Sequence, residues 1–118
     1  MERKADPRKT ELLPGTLDLL LLKALSLEPM HGYGIAQRLR QLSNDVFQIE
    51  EGSLYPALSR LWAEGWVTKK WKQTENNRRA CYYHLTAAGR RHLKLESGSF
   101  DRLMEAILRV MAAVRENA

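Results

Sequence analysis

Only one cysteine, Cys81, occurs in the 118 residues, so no intrachain disulfide can form and the fold must rest on packing. That thiol usage fits a reduced compartment, and a cytoplasmic location is expected. No apolar run approaches the ~20 residues needed to cross a bilayer. The longest, Leu19 to Leu22, is bracketed by Asp18 and Lys23. The opening stretch, MERKADPRKTELLPG, is charged and lacks the apolar centre of a signal peptide. No membrane partner is expected. The histidines His31, His84 and His92 are far apart, and Cys81 stands alone, so zinc-ligand spacing is missing. No phosphate-cradling loop or nucleophile elbow occurs. The sequence therefore assigns no metal site, no cofactor and no catalytic residue, and an enzyme is not expected.

Acidic residues are scarce in one place. Residues 60–94 hold 9 Lys/Arg against 2 Asp/Glu, whereas residues 1–59 hold 7 against 8 and residues 95–118 hold 3 against 4. The whole net charge of +5 thus resides in one block. A concentrated positive block is the footprint of a polyanion binder, and a solvated basic surface is the plain alternative.

The apolar period divides the chain. Residues 1–13 read as a flexible N-terminal arm. Pro14-Gly15 signals a turn, with Thr16 as the expected N-cap of a first helix to about Leu27. Leu17, Leu20 and Leu21 follow helical spacing, but Leu19 and Leu22 add apolar surface elsewhere. A helix apolar nearly all round needs cover on more than one side, and a second subunit is the simplest source in so small a chain. Glu28-Pro29 breaks it. A second helix is expected near His31-Gly32-Tyr33, with Ile35, Leu39 and Leu42 as its stripe, and Ser43-Asn44-Asp45 as the turn after it. A third begins at Gly52-Ser53, with Leu54, Leu58 and Leu61 inward and Gly65 at the left-handed cap position.

The period then shortens to two. WVTKKWK and RACYYHL read as strands, with the polar QTENNRR between them, which makes a two-stranded hairpin with a basic tip. Thr86 can cap a last helix to about Arg115. In it Leu93, Phe100, Leu103, Ile107, Val110 and Val114 fall on heptad spacing, and Ser97-Gly98-Ser99 is a weak point where the helix could bend. Three helices, a basic hairpin and a long helix give a mainly α fold with a small β-hairpin. This is the plan of a winged helix-turn-helix over residues 14–85, its wing at about 66–85. Residues 86–118 follow as a C-terminal dimerisation helix.

In that plan the third helix enters a major groove and the second crosses the phosphate backbone. Ser53, Tyr55, Pro56, Ser59 and Arg60 lie on the outer side of the third helix, and its positive N-terminal end can face a phosphate. Tyr55 and Pro56 have a second reading, as residues packed on the wing. His31, Gly32 and Tyr33 are candidates for phosphate contact, the glycines permitting close approach; against this stands a glycine turn with a buried Tyr33. In the wing Lys70, Lys72, Asn77, Arg78 and Arg79 are the candidates, arginine suiting a narrow minor groove and bidentate phosphate contact. Leu17, Leu20, Leu21, Leu93, Phe100, Leu103, Ile107, Val110 and Val114 are the candidate dimer contacts.

The motifs LLPGTLDLLLLKAL, HGYGIAQRL, EEGSLYPALSRL and YYHLTAAGRRHL, in that order, closely resemble the PadR family of bacterial transcriptional regulators. The wing phrase TENNRRACYY looks most like a subgroup abundant in acidobacterial genomes. The resemblance implies a homodimeric winged helix-turn-helix repressor without enzymatic activity, bound to a double-stranded operator. Its dimer would be built by the N- and C-terminal helices. Two-fold symmetry would make the operator pseudo-palindromic. Some small members of the family bind planar aromatic effectors between the dimer helices, although no residue here specifies one. Trp62 departs from the family, standing where relatives usually carry an acidic residue. The alternative function is a winged-helix protein–protein interaction module that binds no DNA, and the basic block argues against it.

Overall fold

The computed structural model describes residues 12–116, and most of the N-terminal arm lies outside them. Four helices and three short strands follow in order: α1 (Pro14–Leu27), β1 (Met30–His31), α2 (Gly32–Leu42), α3 (Glu51–Ala63), β2 (Val67–Gln73), β3 (Arg79–Leu85) and α4 (Ala87–Met111). The sheet order is β1-β3-β2, antiparallel throughout. The hairpin therefore has a third strand that the sequence reading did not expect. Pro29 explains it. Proline forces the residue before it out of the helical region, and Glu28 is extended at φ −167°, ψ 156°. Met30 and His31 then pair with Tyr83 and Tyr82 before α2 begins.

α1 is the hub. Leu21, Leu22, Ala24 and Leu25 are at most 2% exposed, because α2, α3, α4 and β3 all pack on this one helix. Its all-round apolar surface is thus covered largely from within the chain, not by a second subunit as its composition suggested. The helix starts at Pro14, a favoured first position, with Leu13 as N-cap, so Thr16 does not cap it.

α3 contributes Leu54, Ala57, Leu58 and Leu61 to the same core. Truncation of such a leucine to alanine costs about 2–5 kcal/mol. The helix ends in a Schellman motif: Trp66 N donates to Leu61 O, Gly65 N donates to Trp62 O, and Gly65 sits at φ +77°. Leu42, expected in the α2 stripe, is 54% exposed and lies outside the core.

A tight junction fixes the start of α4. Thr86 accepts from Gly89 N at 3.0 Å, as an N-cap should, and its hydroxyl donates to Gly65 O at 2.7 Å. Gly89 lies so close to the Trp66 carbonyl that a β-carbon has no room. Above this contact the Trp66 indole stacks on His92, centroids 3.6 Å apart. Leu93 then packs against the core. Beyond it α4 runs unbroken through Ser97-Gly98-Ser99 to Met111. It stops short of Arg115, which leaves Val114 outside the helix.

Candidate nucleic-acid interface

The α3 helix presents its outer side where 100° per residue places it, opposite the leucines. Gly52, Pro56, Ser59 and Ala63 occupy the outermost line, and all four are exposed. Gly52 reads in the sequence only as the start of the helix, and Ala63 is not singled out there, because small residues carry no chemical signature. Two expectations change here. The helix begins at Glu51 with Glu50 as N-cap, so Pro56 falls in the second turn, where it leaves the Gly52 carbonyl without its helical donor. Glu50 and Glu51 also place two exposed carboxylates at the helix start. They oppose the positive dipole end and disfavour a phosphate there.

The flanks of α3 are engaged by neighbours. On one side lie Ser53 and Arg60; Arg60 Nη2 donates to Asp18 Oδ1 of α1 at 2.9 Å. Half-exposed, that pair is worth at most about 1 kcal/mol, but it aims the guanidinium toward α1 and away from the outermost line. On the other side Tyr55 and Trp62 face the sheet. The Tyr55 ring covers Gly32, where a β-carbon would lie 2.7 Å from the phenol oxygen. Gly32 is accordingly buried, and the close approach it permits is that of Tyr55 rather than a phosphate. Burial, with Cys81 and Tyr55 alongside, raises the neighbouring Tyr83 phenol above its ordinary 10.0.

At the start of α2, His31 Nδ1 accepts from Gly34 N at 3.0 Å and so acts as the N-cap. Its ring meets Tyr82 edge-on at 5.3 Å. An accepting nitrogen carries no proton, so the ring N–H is at Nε2 and remains a donor. Tyr33 is 64% exposed, which excludes the buried-tyrosine reading; its hydroxyl accepts from Gln37 at 3.2 Å.

The wing carries its cations outward. Lys69, Lys70, Lys72, Arg78 and Arg79 are all exposed, and among the described residues no carboxylate pairs with any of them. Asn77 has a structural part: it takes the left-handed conformation at φ +59°, and its amide oxygen accepts from Gln73. Arg78 N donates to Thr74 Oγ1, which closes the tip. Lys70 and Lys72 share the hairpin face of His84, on its side toward the tip. Burial first, then these two lysines, lowers the His84 imidazole below its ordinary 6.5.

Of the expected dimer residues, Leu17 and Leu21 are buried in the chain's own core, at 5% and 0% exposure, and Leu20 is partly buried against it. Leu93 is likewise packed on the core. Phe100, Leu103, Ile107 and Val110 instead form an uncovered stripe along the second half of α4, 36–71% exposed. Among the described residues no helix is long and apolar enough to cross a membrane.

A three-helix core with a paired wing and an exposed α3 defines a winged-helix DNA-binding protein. The chain matches the model of the transcriptional regulator PadR-like family over residues 21–95 and belongs to that family. Its members are DNA-binding regulators and not enzymes. The chain is similar to a solved structure from Streptococcus mutans UA159, at 26% identity and TM-score 0.77, covering 92% of this chain and 98% of that one. It is also similar to a PadR family transcriptional regulator from Eggerthella lenta DSM 2243, at 27% identity and TM-score 0.72, covering 85% of each. An uncharacterised protein of Lysinibacillus sphaericus is 26% identical over 85 residues, 72% of this chain and 78% of that one.

Proposed function

We propose that this regulator is a homodimeric repressor acting in the cytoplasm on a pseudo-palindromic operator. The observation that carries the reading is the set of exposed wing cations, unpaired among the described residues, on the hairpin that follows α3. One element offers charge for phosphate and the other small and hydroxyl side chains for a groove. Pro56, Ser59 and Ser53 on α3 are the proposed groove residues, with Arg60 reached only if its pair with Asp18 opens. His31 Nε2 and the Tyr33 hydroxyl on α2, and Lys70, Lys72, Arg78 and Arg79 on the wing, anchor phosphates. Residues 14–85 form the DNA-binding unit.

The uncovered α4 stripe of Phe100, Leu103, Ile107 and Val110 supports the pairing of two subunits. Four large apolar side chains in line along one helix need a cover that the described residues do not supply. A seam between two α4 helices is also where a small aromatic effector would lodge and change the spacing of the two α3 helices.

Selection of bound duplexes from a random pool tests the whole reading. Two inverted half-sites about one helical turn apart are expected. Recovery of a single, unpaired half-site would refute the dimer, and recovery of no consensus would refute sequence-specific regulation.

A further inference from the structure

Two of the three tryptophans are exposed, Trp62 at 53% and Trp71 at 63%, and each carries a cation on its ring. Lys69 Nζ lies 4.5 Å from the Trp62 centroid, and the Arg79 guanidinium carbon lies 5.4 Å from that of Trp71. The strand register places these groups together. Trp71 pairs with Cys81 and Gln73 with Arg79, so Trp71 and Arg79 are diagonal neighbours on the face that also carries Lys69 and Tyr83. The series runs from the end of α3 outward along the wing as indole, ammonium, indole, guanidinium. Both indoles are more than half exposed, and exposed apolar surface of this size marks a contact surface.

An arginine lying over an indole keeps its charged N–H edge free while its flexible stem loses its alternatives. We propose that Trp71 is a positioning residue for DNA binding: it holds Arg79 so that the guanidinium edge meets a duplex phosphate. Trp62 does the same for Lys69 nearer to α3. This inference rests on the proposed wing–phosphate contact. It adds residues that charge alone does not reveal, since the tryptophans carry none.

The test is a double-mutant cycle on the full chain, with fluorescence anisotropy on a mixed-sequence duplex over a range of salt concentrations. Arg79→Ala should lower the slope of log K against log salt by about 0.9. Trp71→Ala should weaken binding about threefold to thirtyfold in the wild-type background. It should have almost no effect in the Arg79→Ala background, and Trp71→Phe should retain most of the affinity. Because Trp71 is 63% exposed, the unfolding midpoint of Trp71→Ala should fall by only a few degrees. Weakening by Trp71→Ala that persists without Arg79, or no weakening at all, overturns the positioning role alone. A wild-type chain with no duplex affinity overturns it together with the DNA reading beneath it.

Discussion

The Tyr55 ring of α3 rests on the backbone of Gly32 at the start of α2, and the glycine is buried by it. This contact couples α3 to the start of α2, so a change at one reaches the other. Gly32→Ala would put a β-carbon 2.7–2.9 Å from the phenol ring. Tyr55 is 41% exposed and can swing away, so the cost should be about 1–3 kcal/mol and not a loss of fold. Tyr55→Ala in the same chain should recover most of that loss. Chemical denaturation of the two single variants and the double variant measures the coupling; additive effects would show that the ring does not press on Gly32.

The contact also shows where reading the sequence stops. The helices, the hairpin, the Thr86 cap and the Gly65 turn were legible because each has a local cause: an apolar period, an alternation, a hydroxyl or a left-handed glycine. Gly32 carries the same letter whether a phosphate or a phenol ring approaches it. Arg60 shows the same limit, its partner Asp18 lying 42 residues away. The surplus leucines of α1 show that composition gives how much cover a helix needs but not who provides it. β1 spans two residues, too few to display an alternation, and exists because Pro29 extends the chain beside β3.

The junction of Gly65, Trp66, Thr86 and Gly89 should be the least tolerant part of the wing's root. Thr86→Ala removes a cap and the bond to Gly65 O, at a cost of about 1 kcal/mol or slightly more. Gly89→Ala should be far worse, because the added carbon meets the Trp66 backbone carbonyl, which cannot rotate away. Thermal unfolding of the two variants should rank them in that order. Equal stability of Gly89→Ala and the native chain would mean that α4 is not seated against Trp66.

The exposed stripe of α4 predicts a separation of folding from assembly. Ile107→Glu places a charge on a side chain that is 43% exposed in the single chain, so the protomer should keep its fold and its circular dichroism. Sedimentation should show a shift from dimer to monomer, and affinity for a two-half-site duplex should fall by at least tenfold as the linked half-sites act singly. A variant that remains dimeric would place the seam elsewhere.

The wing tip should act through charge alone. Arg78→Ala should weaken binding to every duplex alike and lower the salt slope by about 0.9, whereas Ser59→Ala on α3 should alter preference between sequences and leave the slope nearly unchanged. Comparing both variants on the selected operator and on a scrambled duplex resolves the two effects. A change of sequence preference from Arg78→Ala would move the wing from anchoring to base reading.

His84 gives the fold a pH dependence whose sign follows from its surroundings. Burial, then Lys70 and Lys72, disfavours the imidazolium, so the folded-state pKa lies below the ordinary 6.5. Above that value both folded and unfolded chains hold a neutral ring, and the stability associated with it is fully present. As pH falls below 6.5 the unfolded chain binds a proton first, and stability is lost until the folded-state pKa is passed. His84→Gln cannot take up that proton. The difference in unfolding midpoint between native chain and variant should therefore be flat above about pH 7.5 and move against the native chain toward about pH 5.5. Added salt should shrink the part due to the lysines and leave the part due to burial. A difference independent of pH across that window would mean that the ring titrates in the folded chain as it does in the unfolded one.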